Sequence, residues 1–103
     1  MSAPYASVQA IHAAIEATKA FPQPQETVFV VLCTVPSEDH LLRFTHKITN
    51  KGVRFVSFYE PDIGNQLTAI ATEPIYNSQR KIFSNLKLFN GQTAPIQTER
   101  IEL

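Results

Sequence analysis

Thr27-Val28-Phe29-Val30-Val31-Leu32-Cys33-Thr34-Val35 is an almost continuous apolar run rich in β-branched residues. Side chains alternate between the two faces of a strand. A run without polar alternation therefore predicts a strand covered on both faces, as in the middle of a parallel or mixed sheet. The next segment reads as a helix. Ser37 suits its N-cap, Glu38 and Asp39 complement the positive end of the helix dipole, and Leu41, Phe44 and Ile48 form an apolar stripe. Gly52 ends it and Val53 to Tyr59 is a second strand, so the three elements predict a right-handed βαβ unit.

Toward the N-terminus, Val8, Ile11, Ala14 and Ile15 recur at helical spacing within a segment from about Ala6 to Ala20, with Ala10, Ala13 and Ala17 filling in. Pro22 and Pro24 stop that helix. Toward the C-terminus, the connection from Tyr59 to Leu67 is too short for a parallel crossover, which needs about a dozen residues. Leu67 to Thr72 is therefore predicted to be an antiparallel strand. Asn77 or Ser78 can cap a last helix through about Leu88, with Ile82, Leu86 and Phe89 inward and Gly91 at its end. Residues 93–103 form a tail whose Ile96, Ile101 and Leu103 could add an edge strand. The expectation is one domain over residues 1–103: a three-layer α/β sandwich with a mixed four-stranded sheet and helices on both faces.

Composition narrows the classes of function. A chain of 103 residues can build one core without disulfide or metal staples. Nine basic and nine acidic side chains cancel, which argues against strong, nonspecific attraction to nucleic acid. The single Cys33 forbids an internal disulfide and, within an apolar strand, reads as an inert core residue. No apolar run approaches the roughly 18 residues of a membrane span, and no secretory signal is visible, so a cytoplasmic location is expected. His40 and His46 stand six apart, a poor spacing for a shared metal, and there is no Gly-rich phosphate loop. No cofactor or metal is expected.

The segment from Glu60 to Ala71 carries the chemistry. Asp62 and Gly64 suit a tight connection, because Asp can bond nearby backbone N–H groups and Gly tolerates positive φ. A carboxylate at the mouth of a buried strand can also hold a catalytic or binding group. Set beside the N-terminal helix, this loop resembles the type II peptidyl-tRNA hydrolase family. Gln9-Ala10-Ile11-His12-Ala13 falls on the second half of that family's helix motif G-K-x-A-A-Q-x-x-H-A. Asp62 precedes Thr68-Ala69-Ile70-Ala71-Thr72-Glu73-Pro74, which is similar to the family's acidic loop followed by T-x-L-A-I-G-P. Leu86-Lys87-Leu88-Phe89 matches its closing L-K-L-L-like sequence, so the ordered resemblance spans residues 5 to 89. Tyr5 stands where the family has its motif lysine, the loop after the acid is shortened to Ile63-Gly64-Asn65-Gln66-Leu67, and the family's first strand has no counterpart before the helix.

The resemblance implies hydrolysis of the ester linking a peptide to the 3′ ribose of tRNA, with tRNA as partner. Asp62 would orient or deprotonate water, while an amide or hydroxyl donor stabilises the developing oxyanion; the candidate residues beside it are Gln9 and His12, three apart on one helix face, and Thr68, which could supply a hydroxyl. Each also has a structural reading. Asp62 can serve as a turn former, His12 as a half-buried histidine bonded to a backbone carbonyl, Gln9 as a solvated residue and Thr68 as a favourable strand residue. Two functions are open: an esterase-type hydrolase acting on peptidyl-tRNA, or a catalytically silent member serving as a small binding or self-association module.

A sheet without that first strand leaves Thr27 to Val35 with unpaired backbone groups. The tail is expected to fill the vacancy or to swap between subunits, with Pro95 at its start and Glu99, Arg100 and Glu102 suiting an edge, and the chain is expected to be a homodimer.

Overall fold

The computed structural model of the protein describes residues 3–26, 29–89 and 96–102. Thr27, Val28, Gly91, Pro95 and Leu103, each of which bears on the expected strands, last helix or tail, lie outside them. The chain is a mixed α/β fold. Helix α1 spans Ala3–Ala20, strand β1 Phe29–Val35, helix α2 Glu38–Asn50 and strand β2 Phe55–Glu60. A 3₁₀ turn at Pro61–Ile63 leads to β3, Gln66–Ile75. A second 3₁₀ segment, Asn77–Phe83, precedes the two-residue β4, Lys87–Leu88, and β5, Ile96–Glu102. The strands join in the order β2-β3-β5-β1-β4, so the sheet has five strands where four were expected.

Helix α2 obeys the physics of its termini. The Ser37 hydroxyl accepts from the His40 N–H at 3.3 Å, and Glu38 and Asp39 occupy the first turn. At the other end Gly52 takes φ 78°. Its N–H bonds the Thr49 carbonyl at 3.0 Å and the Val53 N–H bonds that of Ile48 at 3.1 Å. This pair of bonds is the Schellman arrangement, sealed by burial of Ile48 and Val53 in the same cluster.

The two helices pack on different apolar clusters. Leu41, Phe44 and Ile48 of α2 meet Val35, Leu67, Ile70, Ile75, Ile82 and Phe83. Ala13 and Ala17 of α1 meet Ala69 and Ala71, flanked by Phe21, Val56 and Phe58. Small residues on both sides let α1 lie close to the sheet, so its inward face is Ala6, Gln9, Ala10, Ala13 and Ala17. Val8, Ile11 and Ile15 consequently point outward, the reverse of what their size suggests; they remain 48, 57 and 48 % exposed.

The strand buried on both faces is β3 rather than β1. Leu67 through Thr72 are all buried, whereas Val30 of β1 is 59 % exposed. The physical reason is where α1 lies: it packs over β2, β3 and β5. As the short connection requires, β2 and β3 are antiparallel. β5 pairs antiparallel with β1 over seven residues and parallel with β3, so Glu99, Arg100 and Glu102 belong to a strand inside the sheet, not at its edge. The tail thus lies beside β1, the vacancy assigned to it. The predicted last helix is instead the 3₁₀ segment. It ends at Phe83, and the chain then turns so that the Phe89 N–H bonds the Leu32 carbonyl at 2.9 Å.

Candidate functional site

Strand β3 enters its ladder with an irregularity that orients one side chain. Tyr59 pairs with Leu67 and Phe58 with Ala69, which leaves Thr68 as the extra residue of a β-bulge. Such a bulge re-aims side chains locally. The backbone on one side of it is secured by α2, since the Leu67 N–H donates to Glu38 Oε2 at 2.8 Å. The side chain is secured by α1, since Thr68 Oγ1 donates to Gln9 Oε1 at 2.9 Å and lies 3.3 Å from the Phe58 carbonyl.

Gln9 is 1 % exposed and carries the connection onward. Its Nε2 donates to Glu60 Oε2 at 3.0 Å. An ionised carboxylate only accepts, so the amide nitrogen must face Glu60 and the amide oxygen Thr68. Glu60 in turn caps the loop: its Oε1 accepts from the Asp62 N–H at 3.2 Å, and the Tyr5 phenol also bonds it. The Asp62 N–H and Gln9 amide, aided by Tyr5 and the nearby charge of His12, hold the Glu60 carboxyl below its usual range against the opposing effect of desolvation. Desolvation and then the Glu60 and Asp62 charges hold the Tyr5 phenol above its usual range.

The loop closes through backbone. The Asn65 N–H reaches the Glu60 carbonyl at 3.0 Å and the Gly64 N–H that of Pro61 at 3.3 Å, with Gly64 at φ 75° and Asn65 at φ 57°. The carboxylate that forms this turn is therefore Glu60. Asp62 contributes its N–H, and its own side chain is exposed.

The four residues singled out from sequence thus meet at one corner, where α1 crosses edge strand β2 and its loop. Gln9 and Thr68 are bonded to each other and buried, so neither reading of them as solvated or merely strand-forming holds. His12 is exposed and stacks on Phe58, with ring centroids 4.9 Å apart and planes 6° from parallel. This replaces the expected bond to a backbone carbonyl. Two members went unrecognised in their present roles. Glu60 was legible in principle, as an acidic residue two positions before the N–H of a Pro-Asp turn. Tyr5 gave only the signal that it stands in a lysine's place.

Elsewhere, His40 is engaged by Ser37, with Nδ1 2.7 Å from Oγ. Among the described residues no three His, Cys, Asp or Glu side chains cluster to hold a metal, and no helix is long and apolar enough to cross a membrane. The chain matches no family model, no curated protein and no solved structure.

Proposed function

We propose that this chain is a hydrolase of the type II peptidyl-tRNA hydrolase kind, acting in the cytoplasm on an ester between a peptide and tRNA. In this reading it is a three-layer domain with α1 and α2 on opposite faces of the sheet. The observation that carries the proposal is the chain Thr68–Gln9–Glu60, which joins the motif helix to the acidic loop through bonds of 2.9 and 3.0 Å. The exposed Asp62 carboxylate is the group free to orient or deprotonate water. His12, exposed and steadied by Phe58, is the adjacent donor to a developing oxyanion. Gln9 and Thr68 are too buried to meet substrate, so they act as positioning residues.

Release of peptide from peptidyl-tRNA by the whole chain and by Asp62→Asn tests this. The substitution is expected to cut the rate by orders of magnitude with the fold intact, because charge develops only in the transition state. An equal rate removes Asp62 from the mechanism, and no turnover by the wild type removes the activity.

A second reading, a silent binding or self-association module, is favoured by one observation. Neither Glu60 nor Asp62 meets a lysine or arginine among the described residues, so an approaching tRNA phosphate finds acid rather than base there.

A further inference from the structure

The outer face of α1 combines an apolar stripe with a charge pattern. Val8, Ile11 and Ile15 take the a, d and a positions of a heptad, and Thr18 the next d. Along one flank Tyr5, His12 and Lys19 all occupy e. The stripe is about half exposed at every apolar position, on the helix that lies over β2, β3 and β5. The two ends of the flank differ in charge. Tyr5 sits against Glu60 and Asp62 at the N-terminal end, whereas the Lys19 side chain, at the other end, is 69 % exposed. Its contact with Glu16 is a 3.6 Å surface pair, of a kind that holds a lysine weakly.

We propose that two copies of this chain pair antiparallel through α1, each placing its Lys19 beside the Tyr5–Glu60–Asp62 corner of the other. Helices packed on a/d seams in this orientation set e against e. A register that sets Ile11 against the partner's Ile15 and Val8 against the partner's Thr18 covers all three exposed apolar positions of each stripe. The same register brings Tyr5 opposite the partner's Lys19, with His12 and Ala14 near the two-fold axis. A two-fold pair of this kind is isologous and closed. Charge selects the orientation: the antiparallel pair brings an exposed lysine to the corner that carries Glu60 and Asp62, and it opposes the two helix dipoles. The occupant of the face is thus a second copy, and the copy adds a lysine to a corner where, among the described residues, one chain places only the imidazole of His12 near Glu60. None of this depends on the hydrolytic reading.

Sedimentation equilibrium of the full chain over a concentration series tests the pairing. The wild type is expected to reach a dimer. Ile11→Glu is expected to sediment as a monomer with an unchanged circular dichroism spectrum, since that side chain faces outward. Lys19→Glu is expected to weaken association at least tenfold, while Lys19→Arg retains it. Ala14→Cys is expected to cross-link to itself on mild oxidation, whereas Lys19→Cys alone is not; Cys33 is buried and silent in this assay. A wild type that stays monomeric, a dimer that survives Ile11→Glu, or cross-linking by Lys19→Cys but not Ala14→Cys overturns the arrangement. Equal affinity for Lys19→Glu and wild type overturns the contact with the acidic corner.

Discussion

Gln9 and Glu60 stand 51 residues apart in sequence, and one 3.0 Å hydrogen bond between their side chains fixes helix α1 against the mouth of the β2–β3 loop. Because Gln9 spends its oxygen on Thr68 and its nitrogen on Glu60, truncation removes both bonds at once and leaves the Thr68 hydroxyl only its longer 3.3 Å contact with the Phe58 carbonyl. Gln9→Ala is expected to destabilise the fold by about 2–3 kcal/mol, chiefly through the buried Thr68 hydroxyl and the lost packing. Urea unfolding checks it, and a cost within error of zero would mean that water replaces the amide freely.

Thr72 offers the opposite case. Its hydroxyl is buried with no hydrogen-bond partner among the described residues, a condition that costs about 1–3 kcal/mol. Thr72→Val preserves shape and removes the orphan, so the unfolding midpoint is expected to rise by the equivalent of about 1 kcal/mol. A lower midpoint would show that the hydroxyl is satisfied in solution.

Stability at both pH extremes should report the site corner. Glu60 titrates below the ordinary carboxylate value of about 4.3, so the stability it contributes is present above that value. It is lost as pH falls through the folded-state value. Tyr5 titrates above its ordinary value of 10.0, so its contribution is present below that and lost as pH rises through the folded-state value. Thermal melts across pH should show Glu60→Gln flattening the acid limb and Tyr5→Phe the alkaline one. Unchanged limbs in the variants would assign the titrations to other groups.

Gly52 holds φ 78° at the end of α2, yet a Cβ there would meet nothing within 4 Å. Any cost of Gly52→Ala is therefore conformational, expected at about 1 kcal/mol from the left-handed backbone alone. A denaturant midpoint unchanged from wild type would mean that the helix end relaxes out of that conformation.

What the sequence made legible was whatever local chemistry decides. α2 was readable end to end because its cap, stripe and terminal glycine are all contiguous. The inward face of α1 was not. Ranking residues by hydrophobicity favours Val8, Ile11 and Ile15, but the sheet beneath presents Ala69 and Ala71, and close approach selects the alanines. The last helix failed because Ile82 and Phe83 are buried while Leu86 and Phe89 are only partly covered. One 3₁₀ segment suffices to bury the first pair, and the backbone after it pairs with β1. Motif order singled out Gln9, His12, Asp62 and Thr68, which the fold brings to one corner. The Glu60 cap was legible from its spacing to Asp62, whereas its bond to Gln9 was hidden because it crosses the whole domain.

The bulge at Thr68 also acts as a phase shift along β3. Leu67 and Ile70 both reach the α2 cluster although an unbroken pleat would send them to opposite faces, and Ala69 and Ala71 both reach α1. The bulge takes up the extra residue without disturbing the ladder on either side of it. Deleting Thr68 would straighten the pleat and still leave Leu67 facing α2 and Ala69 facing α1, but it would remove the hydroxyl that bonds Gln9. The extra residue therefore serves the tie between strand and helix, not the sorting of large and small side chains between the two faces of the sheet.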